Sequence, residues 1–233
     1  MKIIAFNGSP RAERGNTAII VEAFLEGCRE AGAETEHIYL AKKKIAPCMG
    51  CFTCWTKTPG VCVIKDDMKD LLKKVTEPDI AVYATPLYVD NVSGIMKNFM
   101  DRLIPTAMPQ FERDAEGRMR HPERQKKQAR TVVISNSGFP QRDQFDVLRL
   151  LFRRLAGLGH SELAGEIYRD EGELLRNASA ALKPVIDRYK ELVKKAGREV
   201  VEKGRLSEAT MKELEKPLIP YEDYIKSANE SWG

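Results

Sequence analysis

The chain has 233 residues, which suits one domain with additions or two small domains. Its formal net charge of +4 tolerates an anionic ligand but is too mild to indicate a nucleic-acid-binding protein. No apolar run is long enough to span a bilayer, and no signal-peptide pattern precedes the first strand. The sequence therefore predicts a cytoplasmic protein whose partners are neither membranes nor nucleic acids.

A polar loop follows the first predicted strand, residues 2–6, and leads into a helical pattern. The loop reads Asn7-Gly8-Ser9-Pro10-Arg11 and ends in Gly15-Asn16-Thr17, where Asn16 or Thr17 is expected to cap the helix. Amides, hydroxyls and a helix N-terminus together favour a bound phosphate. Because the G-x-G-x-x-G and G-x-x-x-x-G-K-[ST] patterns are absent, the loop suits a terminal monophosphate such as that of FMN, with an ordinary capped turn as the alternative.

Strands and helices alternate along the rest of the chain. Strands are predicted at residues 34–40, 80–84, 131–134 and 162–168, and helices at residues 17–31, 66–75, 95–104, 145–155 and 173–203, the last one whole or divided near Pro184. The fourth helix is expected to turn Phe145, Leu148, Leu151, Phe152 and Leu155 inward. Such alternation predicts a five-stranded parallel sheet in the order 2-1-3-4-5, covered by helices on both faces. Ligands of such sheets bind beyond the carboxyl ends of the strands, where the polar loops after strands one, three and four would meet.

Four of the five cysteines are clustered, at Cys48, Cys51, Cys54 and Cys62. In a reducing compartment this spacing favours metal binding or redox chemistry over structural disulfides. The C-x-x-C-x-x-C run has the opening of a bacterial ferredoxin motif, whereas structural zinc sites more often use two separated pairs. The spacing leaves four alternatives open: an iron–sulfur cluster, a zinc ion, a thiol pair, or a cluster site that was lost or never formed. The fifth cysteine, Cys28, is expected to be a small core residue.

Gly8-Ser9-Pro10-Arg11 with Gly15-Asn16-Thr17, directly after a strand that starts the chain, resembles the flavodoxin-like NADPH-dependent FMN reductase family over residues 1–168. The cysteine run resembles the iron–sulfur flavoprotein branch of that family, in which the four positions hold a [4Fe–4S] cluster. The implied ligands are Cys48, Cys51, Cys54 and Cys62. The resemblance implies an α/β fold, a flavodoxin-like three-layer sandwich with a cysteine-rich insert after strand two and a C-terminal helical extension.

The resemblance also implies which residues contact FMN. The first loop would hold the phosphate, the second would lie along the flavin ring with Tyr88 over one face, and the third would contact the ring and the ribityl chain. These residues are Ser9, Arg11, Asn16, Thr17, Pro86, Leu87, Tyr88, Val89, Asn91, Ser135, Asn136, Ser137, Gly138 and Phe139. Backbone amides of residues 89–91 would bond the polar edge of the ring. Ser93 is expected to cap a helix, and Asp101 and Arg102 are expected to be structural, since the flavin itself carries the chemistry.

We expect an FMN-binding domain at residues 1–204 and a helical tail at residues 205–233. The domain would carry a cysteine insert at residues 46–64 and a basic insert at residues 105–129. An irregular insert of this length is usually functional, so the basic insert is interpreted as a lid or a subunit contact. The tail is expected to pack on this subunit or on a neighbour.

The expected function is FMN-dependent electron transfer from NAD(P)H or a ferredoxin to a small acceptor such as a quinone, in a homodimer or homotetramer. A cluster-free NAD(P)H:FMN or quinone reductase is one alternative. The other is a non-catalytic redox carrier or sensor whose cysteines bind zinc or report oxidation.

Overall fold

A parallel sheet organises the molecule. The computed structural model describes residues 1–125, 129–158, 161–177 and 179–232. The strands in this part of the chain are β1 Lys2–Asn7, β2 Glu34–Tyr39, β3 Ile80–Pro86, β4 Glu112–Arg113, β5 Met119–Arg120, β6 Arg130–Asn136 and β7 Leu163–Arg169. Five of them form one sheet in the order β2-β1-β3-β6-β7, with every pair parallel. This confirms the order 2-1-3-4-5 predicted from the sequence.

Helices cover both faces of the sheet. They are α1 Asn16–Glu30, α2 Met68–Thr76, α3 Gly94–Asp101, α4 Asp146–Leu158, α5 Leu174–Asn177, α6 Lys183–Lys203, α7 Glu208–Leu214 and α8 Tyr221–Trp232. Helices α1 and α6 pack on one face and α2, α3 and α4 on the other, which gives the predicted three layers. Among the described helices, none combines the length and the apolar character that a bilayer crossing needs.

Alternate side chains of each strand serve the two faces of the sheet, because the side-chain period of a strand is two residues. In β1, Ile3 and Ala5 lie in the core under α1 and α6, whereas Ile4 and Phe6 lie in the core under α2, α3 and α4. All four are fully buried, which is why the central strand is continuously apolar.

Helices α1 and α6 approach each other closely through two glycines. A Cβ on Gly27 would overlap the carbonyl oxygen of Lys194, and a Cβ on Gly197 would overlap that of Phe24. Beside this contact Cys28 is fully buried, and its Sγ donates to the Gly197 carbonyl at 3.4 Å. The expectation that Cys28 is a core residue is confirmed.

The basic insert contains a short hairpin, which the sequence analysis did not predict. Strands β4 and β5 pair antiparallel around a turn in which Asp114 Oδ1 accepts from the amides of Glu116 and Arg118, and Gly117 has a φ of 78°. A strand of two residues is too short to show the alternation of apolar and polar side chains by which strands are recognised, so neither could be predicted from the sequence. The ring of Trp55, from the cysteine insert, lies 4.8 Å from that of His121 in this insert. Lys126 and Lys127 fall outside the described residues.

Helix α6 begins at Lys183 and has Pro184 in its first turn, so the long C-terminal pattern is divided near this proline, one of the two arrangements expected from the sequence. Beyond it, Leu206 and Leu214 are buried in the core formed by α1 and α6. One inward assignment was wrong. Leu155 is 39% exposed, because the inward stripe of α4 runs through Leu148 and Phe152 and leaves Leu155 beside it.

Candidate functional site

The three polar loops that were expected to share a site meet at the carboxyl ends of β1, β3 and β6. Gly8 N donates to the Ala84 carbonyl at 2.8 Å, and Ser93 Oγ donates to the Gly8 carbonyl at 2.6 Å. Leu87 N donates to the Asn136 carbonyl at 2.9 Å. These bonds join the first loop to the second and the second to the third, so one hydrogen-bond network sets the relative positions of all three loops.

Helix α1 begins directly behind the first loop, but not with the predicted cap. Gly15 is the N-cap and makes no side-chain cap bond, so the assignment to Asn16 or Thr17 was wrong. Both side chains are bonded elsewhere: Asn16 Nδ2 donates to Glu173 Oε2 at 2.6 Å, and Thr17 Oγ1 donates to Asn136 Oδ1 at 2.6 Å. These long-range hydrogen bonds take the place of a side-chain bond that would cap the helix. Ser93, by contrast, caps α3 as expected and accepts from Met96 N at 3.2 Å.

Ser9 and Arg11 occupy different environments in the first loop. Ser9 is 2% exposed, and its backbone N–H donates to Asn7 Oδ1 at 2.9 Å. The Arg11 side chain is half exposed and reaches over the loop surface, with Nη2 3.9 Å from Glu173 Oε2. The loop therefore offers a buried hydroxyl and a movable positive charge near the start of α1.

Glu173, on the turn before α5, is a site residue that the sequence analysis missed. Its carboxylate accepts from Asn16 and pairs with Arg11, so it links these two side chains of the first loop and of α1. The two partners Asn16 and Glu173 are 157 positions apart, and no local pattern links them. The only available signal was topological, because β7 ends beside β6 at the same rim.

The second loop makes a tight, exposed turn after β3. Tyr88 N donates to the Asn91 carbonyl at 2.9 Å, and Asn91 N donates to the Tyr88 carbonyl at 3.1 Å. Val89 and Asp90 at its tip have φ of 49° and 54°, and the Tyr88 side chain is exposed. The N–H of Asn91 is used within the turn, and the expectation that the amides of residues 89–91 bond the ring of FMN stays a prediction. Pro86 and Leu87 are buried beneath it.

The third loop leaves β6 through two buried polar residues, Ser135 and Asn136. Ser135 Oγ is buried and has no hydrogen-bond partner among the described residues. Beyond it, Phe139 N donates to Ser137 Oγ at 3.0 Å, and the Phe139 ring is 59% exposed. The loop thus runs from a buried polar end to an exposed aromatic ring.

The C-terminal segment packs on this subunit, one of the two arrangements expected for it, and contacts the third loop, which the sequence did not specify. Tyr224 OH donates to the Gly138 carbonyl at 2.6 Å, and Tyr221 OH donates to Asp170 Oδ2 at 2.5 Å. Burial raises the pKa of the neighbouring Glu171 carboxyl, which accepts from backbone amides of the same segment. Helix α8 is therefore attached to the rim at the loop that was predicted to contact the flavin ring.

The side chains at this rim fit a flavin mononucleotide. Asn16 Oδ1 and Ser135 Oγ are buried polar atoms without a partner in the described part of the chain, and such atoms gain from a polar ligand. Tyr88 and Phe139 present exposed rings on neighbouring loops, and aromatic rings stack on flat π-systems. The rim therefore combines partners for a polar tail with apolar surface for a planar ring.

The four clustered cysteines line one small cavity. Cys48 and Cys51 are exposed, Cys62 is half-buried and Cys54 is buried at the cavity wall. All are free thiols. Among the described residues, no three His, Cys, Asp or Glu side chains lie close enough together to hold a single metal ion. The thiols thus surround a common space and do not converge on one point.

The thiols of this cavity differ in acidity. Hydrogen bonds from the Thr53 side chain and backbone hold the pKa of Cys51 below its ordinary value, because they stabilise the thiolate. Burial raises the pKa of Cys54, and the charge of a deprotonated Cys62 raises it further. Thiolates are the form that binds metals.

A buried arginine lines the same cavity. Arg102 is 1% exposed, and its Nη1 and Nη2 donate to the two carboxylate oxygens of Asp66 at 2.7 and 2.9 Å. Nη1 also donates to the Ala46 carbonyl at 2.7 Å, at the start of the cysteine insert. Its Nε is buried without a partner among the described residues. Arg102 therefore has the structural role that was expected, and it also brings a fixed positive charge to the cavity that the four thiols line.

Comparison with known proteins places the chain in a family. The family model described as NADPH-dependent FMN reductase matches residues 1–142, which contain all three loops. The chain belongs to the NADPH-dependent FMN reductase family. The resemblance noted in the sequence is confirmed.

Members of this family and proteins of the same fold resemble the chain over different lengths. It is 45% identical over 105 residues to an iron–sulfur flavoprotein of Methanocaldococcus jannaschii, a match that covers 45% of this chain and 53% of that protein. The chain thus spans about half the length of the iron–sulfur flavoproteins it matches. It is 30% identical over 192 residues to YwqN of Bacillus subtilis, named as a candidate NAD(P)H-dependent FMN-containing oxidoreductase, covering 78% of this chain and 97% of that protein.

Solved structures share the fold at low sequence identity. An FMN-dependent NADH-azoreductase from Bacillus anthracis, in complex with FMN, superposes with a TM-score of 0.61 at 16% identity. The superposition covers 86% of this chain and 99% of that one. The flavodoxin-like architecture predicted from the sequence is confirmed.

Proposed function

We propose that the protein is an FMN-dependent oxidoreductase that takes electrons from NAD(P)H, or from a ferredoxin, and passes them to a small acceptor such as a quinone. The observation that carries the proposal is the meeting of three polar loops at one rim, joined through Gly8, Leu87 and Asn136. Bound there, FMN would supply the chemistry, because a flavin accepts a hydride and releases electrons singly. The protein's own task is to bind, orient and shield it.

The first loop is the proposed phosphate site. Ser9, Thr17 and Arg11 would donate to the phosphate, and the N-terminus of α1 adds partial positive charge. Thr17 Oγ1 donates to Asn136 Oδ1 in the structure. A rotation of the Asn136 amide reverses that bond and frees the hydroxyl hydrogen for the phosphate. The orphan Asn16 Oδ1 would accept from a ribityl hydroxyl.

The second and third loops are the proposed ring site. Pro86 and Leu87 would form its buried floor, while Tyr88 and Phe139 would cover the ring from neighbouring loops. The amides of Val89 and the residue after it would face its polar edge, and residues 135–138 would contact the ring and the ribityl chain. The proposal assigns no acid or base at the ring, since hydride transfer to a flavin needs none from the protein.

We further propose that Cys48, Cys51, Cys54 and Cys62 hold a [4Fe–4S] cluster. Support comes from the common cavity, from the charge of Arg102 on its wall, and from relatives that are named iron–sulfur flavoproteins. A bound cluster would carry one electron at a time, so a two-electron donor could serve one-electron acceptors. Zinc, or free thiols that report oxidation, is the rival use of the same cavity.

The protein is proposed to act in the cytoplasm as a homodimer or homotetramer. Free thiols suit a reducing compartment. Val89 at the rim and Val147 and Leu150 on α4 are exposed apolar side chains that subunit contact would cover.

Anaerobic purification followed by flavin, iron and sulfide quantification tests the proposal. We expect one FMN per chain with about four irons and about four sulfides. NADPH should bleach the flavin bands, and a quinone should restore them. Zinc without iron would remove the cluster and leave the reductase standing. A protein that neither contains nor binds FMN would overturn the reductase proposal, whatever its iron content.

A further inference from the structure

We propose that His37, on β2, positions the phosphate loop by acting through Asn7, and that the loop keeps its binding shape only while His37 is neutral with its proton on Nδ1. This inference rests on the proposed FMN site, because the loop concerned is the one assigned to the phosphate. It makes His37 a positioning residue with no contact to the cofactor.

A relay of hydrogen bonds links Glu22 on α1 to the first loop, through His37 on β2 and Asn7 on β1. Glu22 Oε1 lies 2.6 Å from His37 Nδ1, and His37 Nε2 lies 3.1 Å from Asn7 Nδ2. Asn7 Oδ1 then accepts from Ser9 N at 2.9 Å. The His37 side chain is 8% exposed and Asn7 is fully buried, so water does not compete freely for these partners.

Only one arrangement of protons gives every donor in this relay an acceptor. The buried Ser9 N–H needs an acceptor, which directs Asn7 Oδ1 toward Ser9 and Asn7 Nδ2 toward His37. Because Nδ2 can only donate, His37 Nε2 must accept and carry no hydrogen. The proton of the neutral ring is therefore on Nδ1, from which it is donated to Glu22.

The groups around His37 are consistent with this arrangement. They are Glu13, Glu22, Arg29, Tyr39 and Lys42. The hydrogen bond from His37 holds the pKa of Glu22 below its ordinary value, so Glu22 is an ionised acceptor at neutral pH. Glu13 is paired with Lys42, and the Tyr39 ring lies 4.1 Å from the imidazole. Glu13 and Glu22 are the negative charges in this group, and Arg29 and Lys42 are the positive ones.

A second proton on His37 would break the chain at Asn7. Nε2–H and Asn7 Nδ2–H would then face each other as two donors. The Asn7 amide can relieve the clash by rotating, but its Nδ2 then faces Ser9 N, and a buried amide loses its acceptor. Acidification should therefore loosen the loop and weaken FMN binding, and a rise in pH should restore the shape of the loop and the affinity for FMN.

The tautomer can be measured without any cofactor. In the purified chain freed of FMN, long-range 15N–1H correlation of the His37 ring at about pH 8 should show hydrogen on Nδ1 and none on Nε2. The opposite tautomer would overturn the proposal. This readout does not depend on where FMN binds.

The functional readout is the FMN dissociation constant between about pH 5 and about pH 8. The phosphate of FMN takes up a proton in the same range, which by itself weakens binding. His37→Gln is the matched control, because a Gln amide oxygen can accept from Asn7 and does not titrate. We expect the affinity of the native chain to fall about three- to tenfold more than that of His37→Gln over this range. Parallel pH profiles would overturn the proposal.

Asn7→Asp gives a second test that a merely structural role does not explain. A carboxylate can still accept from Ser9 N, but it prefers a protonated ring at His37. The extra fall in FMN affinity on acidification should therefore vanish or reverse in this variant, although its affinity is lower at every pH. A profile as steep as that of the native chain would contradict the relay.

Failure of the relay and failure of the FMN site give different results. If FMN binds elsewhere, the Nδ1–H tautomer remains while none of the loop variants changes FMN affinity. If the relay alone is wrong, FMN affinity still depends on Ser9 and Thr17, but not on the charge of His37.

Discussion

Polar side chains at the rim of the sheet find their partners far away in the sequence. Asn16 donates to Glu173, which follows β7, and Thr17 donates to Asn136, the last residue of β6. Two further polar atoms there, Asn16 Oδ1 and Ser135 Oγ, are buried without partners among the described residues. Each residue therefore acts as part of a network that a ligand would complete.

Removing two hydroxyls from the first loop tests the phosphate assignment. We expect the double variant Ser9→Ala with Thr17→Ala to bind FMN about 100-fold more weakly, because each lost donor to a charged group costs about 1.5 kcal/mol. Fluorescence titration measures the dissociation constant. Riboflavin, which lacks the phosphate, is the control, and its affinity should change little. An unchanged FMN affinity would refute the phosphate assignment.

Glu173 should oppose phosphate binding, since its carboxylate occupies Asn16 and Arg11 and repels an anion. We expect Glu173→Gln to bind FMN about three- to tenfold more tightly, because the amide keeps an acceptor for Asn16 and removes the negative charge. The gain should shrink as salt is added, because ions screen the repulsion. Weaker binding by the variant would show that Glu173 supports the site.

At the scale of elements, the contact between α1 and α6 limits what the core tolerates. Gly27→Ala would push a methyl group into the backbone of Lys194. We expect a loss of about 1–3 kcal/mol in the free energy of unfolding, measured by urea denaturation. Gly94→Ala is the matched control, because its Cβ would meet open space at the start of α3. Equal stability of the two variants would contradict the described packing.

The cysteine insert is a second element with its own test. Cys51→Ala should abolish iron binding and leave FMN bound, because one of four ligands is lost while the rim is untouched. Iron and flavin assays on the anaerobically purified variant measure both. Cys28→Ala, which removes a buried core thiol, should keep its iron. Unchanged iron in Cys51→Ala would end the cluster proposal.

For the whole molecule, most of the architecture could be predicted from the sequence. Apolar strands alternating with helical stripes specify a parallel sheet, and handedness and connection rules leave few strand orders. The same rules brought the three loops to one rim. The cap at Ser93 and the core position of Cys28 were also predicted, because both depend on short-range patterns.

The rest depended on contacts that no local pattern encodes. Glu173 reaches the first loop only because β7 lies beside β6, and Tyr224 reaches the third loop only because the tail folds back. The cap at Gly15 was missed for the same reason, since distant partners took the side chain of Asn16. At these residues, hydrogen bonds to distant parts of the chain outweighed the local sequence preferences.

The central claim is that three loops at one rim hold a single FMN by its phosphate. A crystal structure of the anaerobically purified protein grown with excess FMN tests it most directly. We expect the phosphate to lie among residues 8–17 and the ring to lie between the loops at residues 86–91 and 135–139. An empty rim, or FMN bound elsewhere, would contradict it.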